Sequence, residues 1–311
     1  MTETKSNHAA VIGGGTMGAD IAAIFLAGGW HTQVVEPDAK RWAALGERIA
    51  NAVKQIGGTF APERLFICAL PRLLSWDEIE TVIECAPEKL DLKRSVFAEL
   101  ERHAKPGTML ASNSSSFPIS RIAEGLATAN RMLGLHFFMP AHLVPAVEVI
   151  RGEKTDPAVC ERAAALMRSL DKVPVMVKKE IPGFLANRIQ HALMREAFAL
   201  IDAGMASAED IDNAVRYGFG FRYVAAGPIL QKDLAGLDIH CAAATTMYAH
   251  LANNAEPSPT LRKLVDEGKL GVKTGEGFYS WTPEKARAEQ ARYEKALTAA
   301  LAIFAAERKG G

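Results

Sequence analysis

The chain has 311 residues, 49% of them apolar and 23% charged, with 36 basic and 36 acidic side chains. Such a chain is expected to be a soluble globular protein of about two domains. The balanced charge gives no general attraction to nucleic acid or an anionic membrane, and no apolar run is long enough to span a bilayer.

Ala9–Ile12 reads as a strand, and Thr16–Ala27 as a helix closed by Gly28-Gly29. Between them lies Gly13-Gly14-Gly15-Thr16-Met17-Gly18. A glycine run that leaves a strand and opens a helix is a dinucleotide-binding fingerprint. Gly13 permits the tight turn, Gly15 lets backbone approach a pyrophosphate, and Gly18 permits close packing of helix on strand. The helix start, at Thr16 and Met17, then offers its free N–H groups to phosphate.

Thr32–Val35 is a second strand, ending at Glu36, 18 residues after Gly18. An acid there accepts both ribose hydroxyl protons and repels a 2′-phosphate, which favours NAD over NADP. Lys40 and Arg41 follow closely and oppose that preference. Asp38 caps a helix from Ala39 to about Ile56. Further strands are expected at Thr81–Glu84, Thr108–Ala111, Met132–Phe137, Val147–Ile150 and Val173–Val177, with helices at Leu90–His103 and Pro157–Leu170. Strands alternating with helices imply βαβ units and a mostly parallel sheet.

The pattern changes near Glu180-Ile181-Pro182-Gly183. Beyond it helical spacing dominates: Phe184–Asp202, Ala208–Tyr217, Ile229–Ala252, Pro259–Glu267 and Lys285–Glu307. The expectation is an α/β, Rossmann-like domain over residues 1–180 and an all-helical C-terminal domain over 181–311, the latter carrying substrate pocket and dimer contacts. Cys68, Cys85, Cys160 and Cys241 form no CxxC pair and no metal-ligand spacing. No metal is expected, and the thiols read as buried and reduced, as in a cytoplasmic protein. The polar N-terminus has no signal-peptide core.

His136 ends an apolar strand, and Glu148 lies in the short run Val147-Glu148-Val149. A carboxylate bonded to imidazole fixes its tautomer and favours the imidazolium formed on proton transfer. With a nicotinamide cofactor, such a base suits alcohol oxidation. Ser112-Asn113-Ser114-Ser115-Ser116 follows a strand, at the sheet edge where doubly wound folds bind ligands. Asn187 lies in Pro182-Gly183-Phe184-Leu185-Ala186-Asn187-Arg188, which starts a helix at the expected domain junction, where pockets tend to form.

These segments, with Glu84-Cys85-Ala86-Pro87-Glu88-Lys89-Leu90-Asp91-Leu92-Lys93 and Gly271-Val272-Lys273-Thr274-Gly275-Glu276-Gly277-Phe278-Tyr279, resemble the 3-hydroxyacyl-CoA dehydrogenase family from Val11 to about Trp281. The resemblance implies NAD-dependent oxidation of a 3-hydroxyacyl substrate to the 3-oxo compound. It implies His136 as base, Glu148 as its orienting acid, and Ser115 and Asn187 as holders of the reacting oxygen. It also places Glu88, Lys93 and Lys273 along the cofactor and implies a homodimer.

Two departures leave the substrate open between an acyl-CoA and a small free hydroxy acid or ring alcohol. The family usually writes asparagine where this chain has Met139, and a thioether cannot replace an amide. Acyl-CoA users usually carry a longer, lysine-rich helical hairpin between the positions of Glu36 and Glu84; here only one helix is expected there. Arg48, Lys54 and Arg64 could still meet CoA phosphates. A redox-silent NADH-binding or structural protein is the third reading. The intact set of His136, Glu148, Ser115 and Asn187 argues against it.

Overall fold

Eight strands form one sheet in the order β3-β2-β1-β4-β5-β6-β7-β8 in the computed structural model, which describes residues 7–310, with side chains to 307. In chain order, β1 is His8–Ile12, β2 His31–Val35, β3 Leu65–Cys68, β4 Ile79–Glu84, β5 Met109–Ser112, β6 Met132–Phe137, β7 Ala146–Ile150 and β8 Val173–Val177. All neighbours run parallel except β6 and β7. The chain winds outward from β1 to β3, then returns to start β4 on the other side of β1. That reversal opens a crevice at the carboxyl ends of β1 and β4, where such sheets bind ligands.

Helices cover both faces. On one, α1 (Thr16–Ala27), α2 (Trp42–Gln55) and α5 (Pro157–Ser169) pack through Ile21, Phe25, Ile49 and Met167. On the other, α3 (Leu90–His103) and α4 (Ile119–Ile122) pack through Phe97, Leu100, Ile119 and Ile122. β1 is buried on both faces, as a central parallel strand must be.

Contacts divide the chain after Leu185. One compact unit comprises the residues up to Leu185 with the end of the terminal helix from Leu297; the other is Ala186–Ala296. The second unit is helical: α6 (Ala186–Asp202), α7 (Ala208–Asn213), α8 (Pro228–Ala235), α9 (Leu237–Met247) and α10 (Pro259–Asp266). The last helix, α11, runs over Pro283–Gly310.

The sequence pattern missed β3, a four-residue edge strand whose Phe66 is exposed. Its apolar run is only four residues long and lies between Pro62 and Pro71, in a stretch that reads as a link. The single helix expected over 229–252 is two, broken at Gly236, whose φ of +100° is open to glycine and strained for other residues. Helix α7 ends at Asn213, and a π-helical turn, Ala214–Phe219, replaces the rest of the expected span. No described helix is long and apolar enough to cross a membrane.

Candidate active site

His136 and Glu148 are direct cross-strand partners in the antiparallel β6–β7 pair. Residues opposite each other share a face of the sheet, so the register alone brings imidazole to carboxylate. His136 Nδ1 lies 2.8 Å from Glu148 Oε2, and Leu185 N–H donates to Glu148 Oε1 at 2.9 Å. Glu148 is fully buried and His136 is 3% exposed. A carboxylate only accepts, so it holds the proton on Nδ1 and leaves the Nε2 lone pair free. Ser115 Oγ lies 2.9 Å from that nitrogen, on an exposed residue. The Nε2 edge of the imidazole thus faces the Ser115 hydroxyl, opposite the Glu148 carboxylate. The rings of Phe138 and Phe184 flank the imidazole, with centroids 4.8 and 5.6 Å away.

The serine loop is built by a buried charge network that the sequence pattern did not reveal. Lys93 Nζ donates to Glu84 Oε1 at 2.8 Å and lies 3.2 Å from Glu88 Oε2. Ser112 Oγ donates to Glu84, and Ser114 Oγ and Ser116 N–H donate to Glu88. Burial raises the Glu88 carboxyl, but Ser114 and Lys93 outweigh it and hold it below the usual carboxylate range. Lys93 is only 1% exposed. Its ammonium thus faces carboxylates, not the open crevice, and reaches a ligand only through Glu88 and the loop it holds. Asn113 Oδ1 accepts Phe137 N–H at 2.9 Å, which ties this loop to the strand carrying His136.

The glycine loop has the form a dinucleotide needs. Gly13 has φ +112°, and a Cβ there would stand 2.7 Å from the Cys85 carbonyl oxygen. A Cβ on Gly18 would stand 1.8 Å from the Gly13 carbonyl oxygen. Both glycines are thus required by packing. A Cβ on Gly15 would meet nothing within 4 Å, so its smallness serves an approach from outside. No side chain caps the N-terminus of α1, and its first N–H groups stay available to an anion. Glu36 follows β2, accepts from Asp38 N–H at 3.1 Å, and pairs with Arg41 at 3.1 Å.

Asn187 and Lys273 belong to the second unit. Asn187 is half-buried in the first turn of α6, and Lys273 is exposed in a turn between Gly271 and Glu276. Met139 is 67% exposed, just after the strand that carries His136.

Residues 8–181 match the model of the 3-hydroxyacyl-CoA dehydrogenase NAD-binding domain, and residues 183–281 that of the C-terminal domain of the same enzymes. The chain belongs to the 3-hydroxyacyl-CoA dehydrogenase family. It is an NAD-dependent oxidoreductase of that type, and the open Gly15 and uncapped α1 fit the cofactor.

Among relatives, 5-formyl-3-hydroxy-2-methylpyridine 4-carboxylate 5-dehydrogenase of Mesorhizobium japonicum is 34% identical over 304 residues, 95% of this chain and 97% of that one. A crystal structure of a 5-dehydrogenase of that pyridine acid, described as an NAD+-dependent dismutase, superposes with a TM-score of 0.88. It is 30% identical, over 96% of this chain and 98% of that one. The structure of (S)-3-hydroxybutyryl-CoA dehydrogenase from Ralstonia eutropha gives 0.70 at 29% identity, over 89% and 99%.

Proposed function

We propose that this family member acts on a compact free acid bearing an alcohol or aldehyde, a ring compound among the candidates, and not on a CoA thioester. The observation that carries the reading is the span from Glu36 to Glu84. It holds one α-helix, α2, then two 3₁₀ turns and the edge strand β3, with no helical hairpin to cover a CoA. Of Arg48, Lys54 and Arg64, the cations singled out there for CoA phosphates, two are engaged within the protein. Arg48 pairs with buried Asp20 at 2.9 Å, and Arg64 donates to the Gly29 carbonyl at 2.8 Å. The close superposition on the pyridine acid dehydrogenase supports the same reading.

The chemistry follows from the base. Bound NAD supplies the hydride acceptor. For an alcohol, His136 Nε2 removes the hydroxyl proton as the carbon gives up hydride. For an aldehyde, the same nitrogen takes a proton from water adding to the carbonyl, and the hydrate is then oxidised to the acid. Glu148 stabilises the imidazolium, as the acid of a catalytic triad does. We assign Ser115 and Asn187 to the reacting oxygen. Gly13, Gly15, Thr16, Met17, Gly18, Glu36 and Lys273 are assigned to the cofactor, and Glu88 and Lys93 to the loop beside it. Exposed apolar side chains on α6, α8 and α9, among them Ile189, Ile229, Leu234 and Ile239, support a homodimer.

The test is NADH absorbance with a panel: acetoacetyl-CoA, acetoacetate, and a pyridine carboxylate bearing an aldehyde, with the matching alcohols and NAD. Turnover of free compounds alone supports the proposal. Turnover of the thioester alone overturns it and makes the enzyme a 3-hydroxyacyl-CoA dehydrogenase with an uncovered CoA. His136→Ala should abolish turnover and leave NADH binding nearly intact; equal loss of both would make the residue structural.

A further inference from the structure

Helix α1 carries a carboxylate where packing has no use for one. Asp20 is completely buried, as are Ile21, Ala22, Ala23 and Phe25 beside it. An acid in such a place costs desolvation that an apolar residue avoids. Burial raises its carboxyl, but His142 and Arg48 outweigh that and hold it below the usual range. Its oxygens leave the helix for another element. Ala141 N–H donates to Oδ2 at 3.2 Å, and His142 Nδ1 lies 3.2 Å from the same oxygen, at ion-pair distance but off the hydrogen-bond direction. Arg48 Nη2 of α2 donates to Oδ1 at 2.9 Å.

Ala141 and His142 lie in the connection that leaves β6 just past His136. Its carbonyl side is gripped as well: buried Lys172 donates to the oxygens of Ala141, His142 and Val144 at 2.7, 3.1 and 3.0 Å. His142 Nε2 meets Gln55 Oε1 of α2 at 2.6 Å. The loop is thus held through both an N–H and its carbonyls, and Asp20 is its direct bond to the cofactor helix.

We propose that Asp20 is a positioning residue that registers the His136 strand and its Met139 corner against the helix presenting the pyrophosphate site. The proposal rests on the reading of His136 as base. Its physical ground is the topology. β1 feeds α1 and β6 carries the base, yet β4 and β5 lie between them in the sheet. Proton removal from the hydroxyl oxygen and hydride loss from the carbon bearing it act on one C–OH group, so these two separately delivered elements must keep a fixed spacing. An error near 1 Å costs up to about 100-fold in rate. Asp20 crosses the gap with a charge-assisted contact that an aliphatic side chain cannot make.

The experiment compares wild type, Asp20→Ala and Asp20→Asn. Asparagine keeps one acceptor for the Ala141 N–H and loses the charge. Hydrogen–deuterium exchange is measured on the cofactor-free proteins, NADH affinity by fluorescence, and turnover on the best compound of the panel above. For Asp20→Ala we expect exchange of the Phe138–Val144 peptide to quicken by about tenfold and turnover to fall by about tenfold or more, with NADH affinity within about threefold. Asp20→Asn should recover part of both losses; if Asp20→Ala does not fold, Asp20→Asn bears the same test against wild type. Unchanged loop exchange, or unchanged turnover in a loosened loop, overturns the proposal. If wild type turns over nothing in the panel, the functional reading fails, and the exchange result still decides whether Asp20 holds the loop.

Discussion

Glu148→Gln is an isosteric change with a large expected effect. Both carboxylate oxygens are committed: Oε2 to His136 Nδ1 at 2.8 Å and Oε1 to Leu185 N–H at 2.9 Å. Glutamine has one acceptor oxygen, and at full burial no water substitutes for the other. If the oxygen stays with Leu185, the amide nitrogen faces His136 and drives the imidazole proton to Nε2. That tautomer has no lone pair toward Ser115 or substrate. If the oxygen turns to His136, the Leu185 N–H is left facing another donor, at about 1–3 kcal/mol. The first arrangement is the cheaper, because the ring only exchanges a proton. The wrong tautomer in an analogous triad costs about 10⁴-fold in kcat; here we expect a loss of about 10³–10⁴-fold. NADH affinity should hold within about threefold, because the phosphate site we assign to the cofactor lies on α1. The assay is stopped-flow NADH absorbance beside NADH fluorescence titration, with ¹⁵N NMR of the imidazole to read the tautomer. A kcat within threefold of wild type would refute the reasoning, as would an Nδ1-protonated ring in a slow variant.

Three other outcomes are expected. Glu36→Ala removes the acid we assign to the ribose and frees Arg41, paired with it at 3.1 Å, for a 2′-phosphate. A unit charge about 5 Å away at an effective dielectric near 20 is worth roughly 3 kcal/mol, so the preference for NAD over NADP should fall by about 10–100-fold. An unchanged ratio of kcat/KM values would remove Glu36 from the ribose. Glu88 has a depressed folded pKa, so its contribution to stability is fully present above about pH 4.3 and drains as pH falls through the folded value. Glu88→Gln should therefore lose less Tm than wild type between about pH 5 and pH 3; parallel curves would contradict the linkage. Sedimentation at micromolar concentration should report two chains, and Leu234→Glu, at a side chain 76% exposed, should shift it toward one. A monomeric wild type would end the dimer proposal.

The pairing of His136 with Glu148 was legible because its signal is local. His136 is the next-to-last residue of a six-residue strand, and a short β-branched run downstream carries Glu148. The glycine loop was legible for the same reason, since strand, turn and helix are contiguous. Asp20 and Lys172 were not singled out. Asp20 stands alone in an apolar helix, a signal in principle, but its partners lie 28 and 121 residues away. The family resemblance places Lys93 along the cofactor, but one-dimensional spacing gives no view of Glu84 bonding its ammonium.

By itself the sequence determined the periodicities, the turn chemistry and the identity of each donor and acceptor, because these depend on near neighbours. From them came the sheet-then-helix order, the cofactor fingerprint and the family. Tertiary structure alone decided which groups meet. The antiparallel register sets His136 against Glu148, the reversal between β1 and β4 opens the crevice, and burial commits both oxygens of Glu148 and the charge of Lys93. Pairings between distant segments follow from how faces pack, and packing is a property of the whole chain.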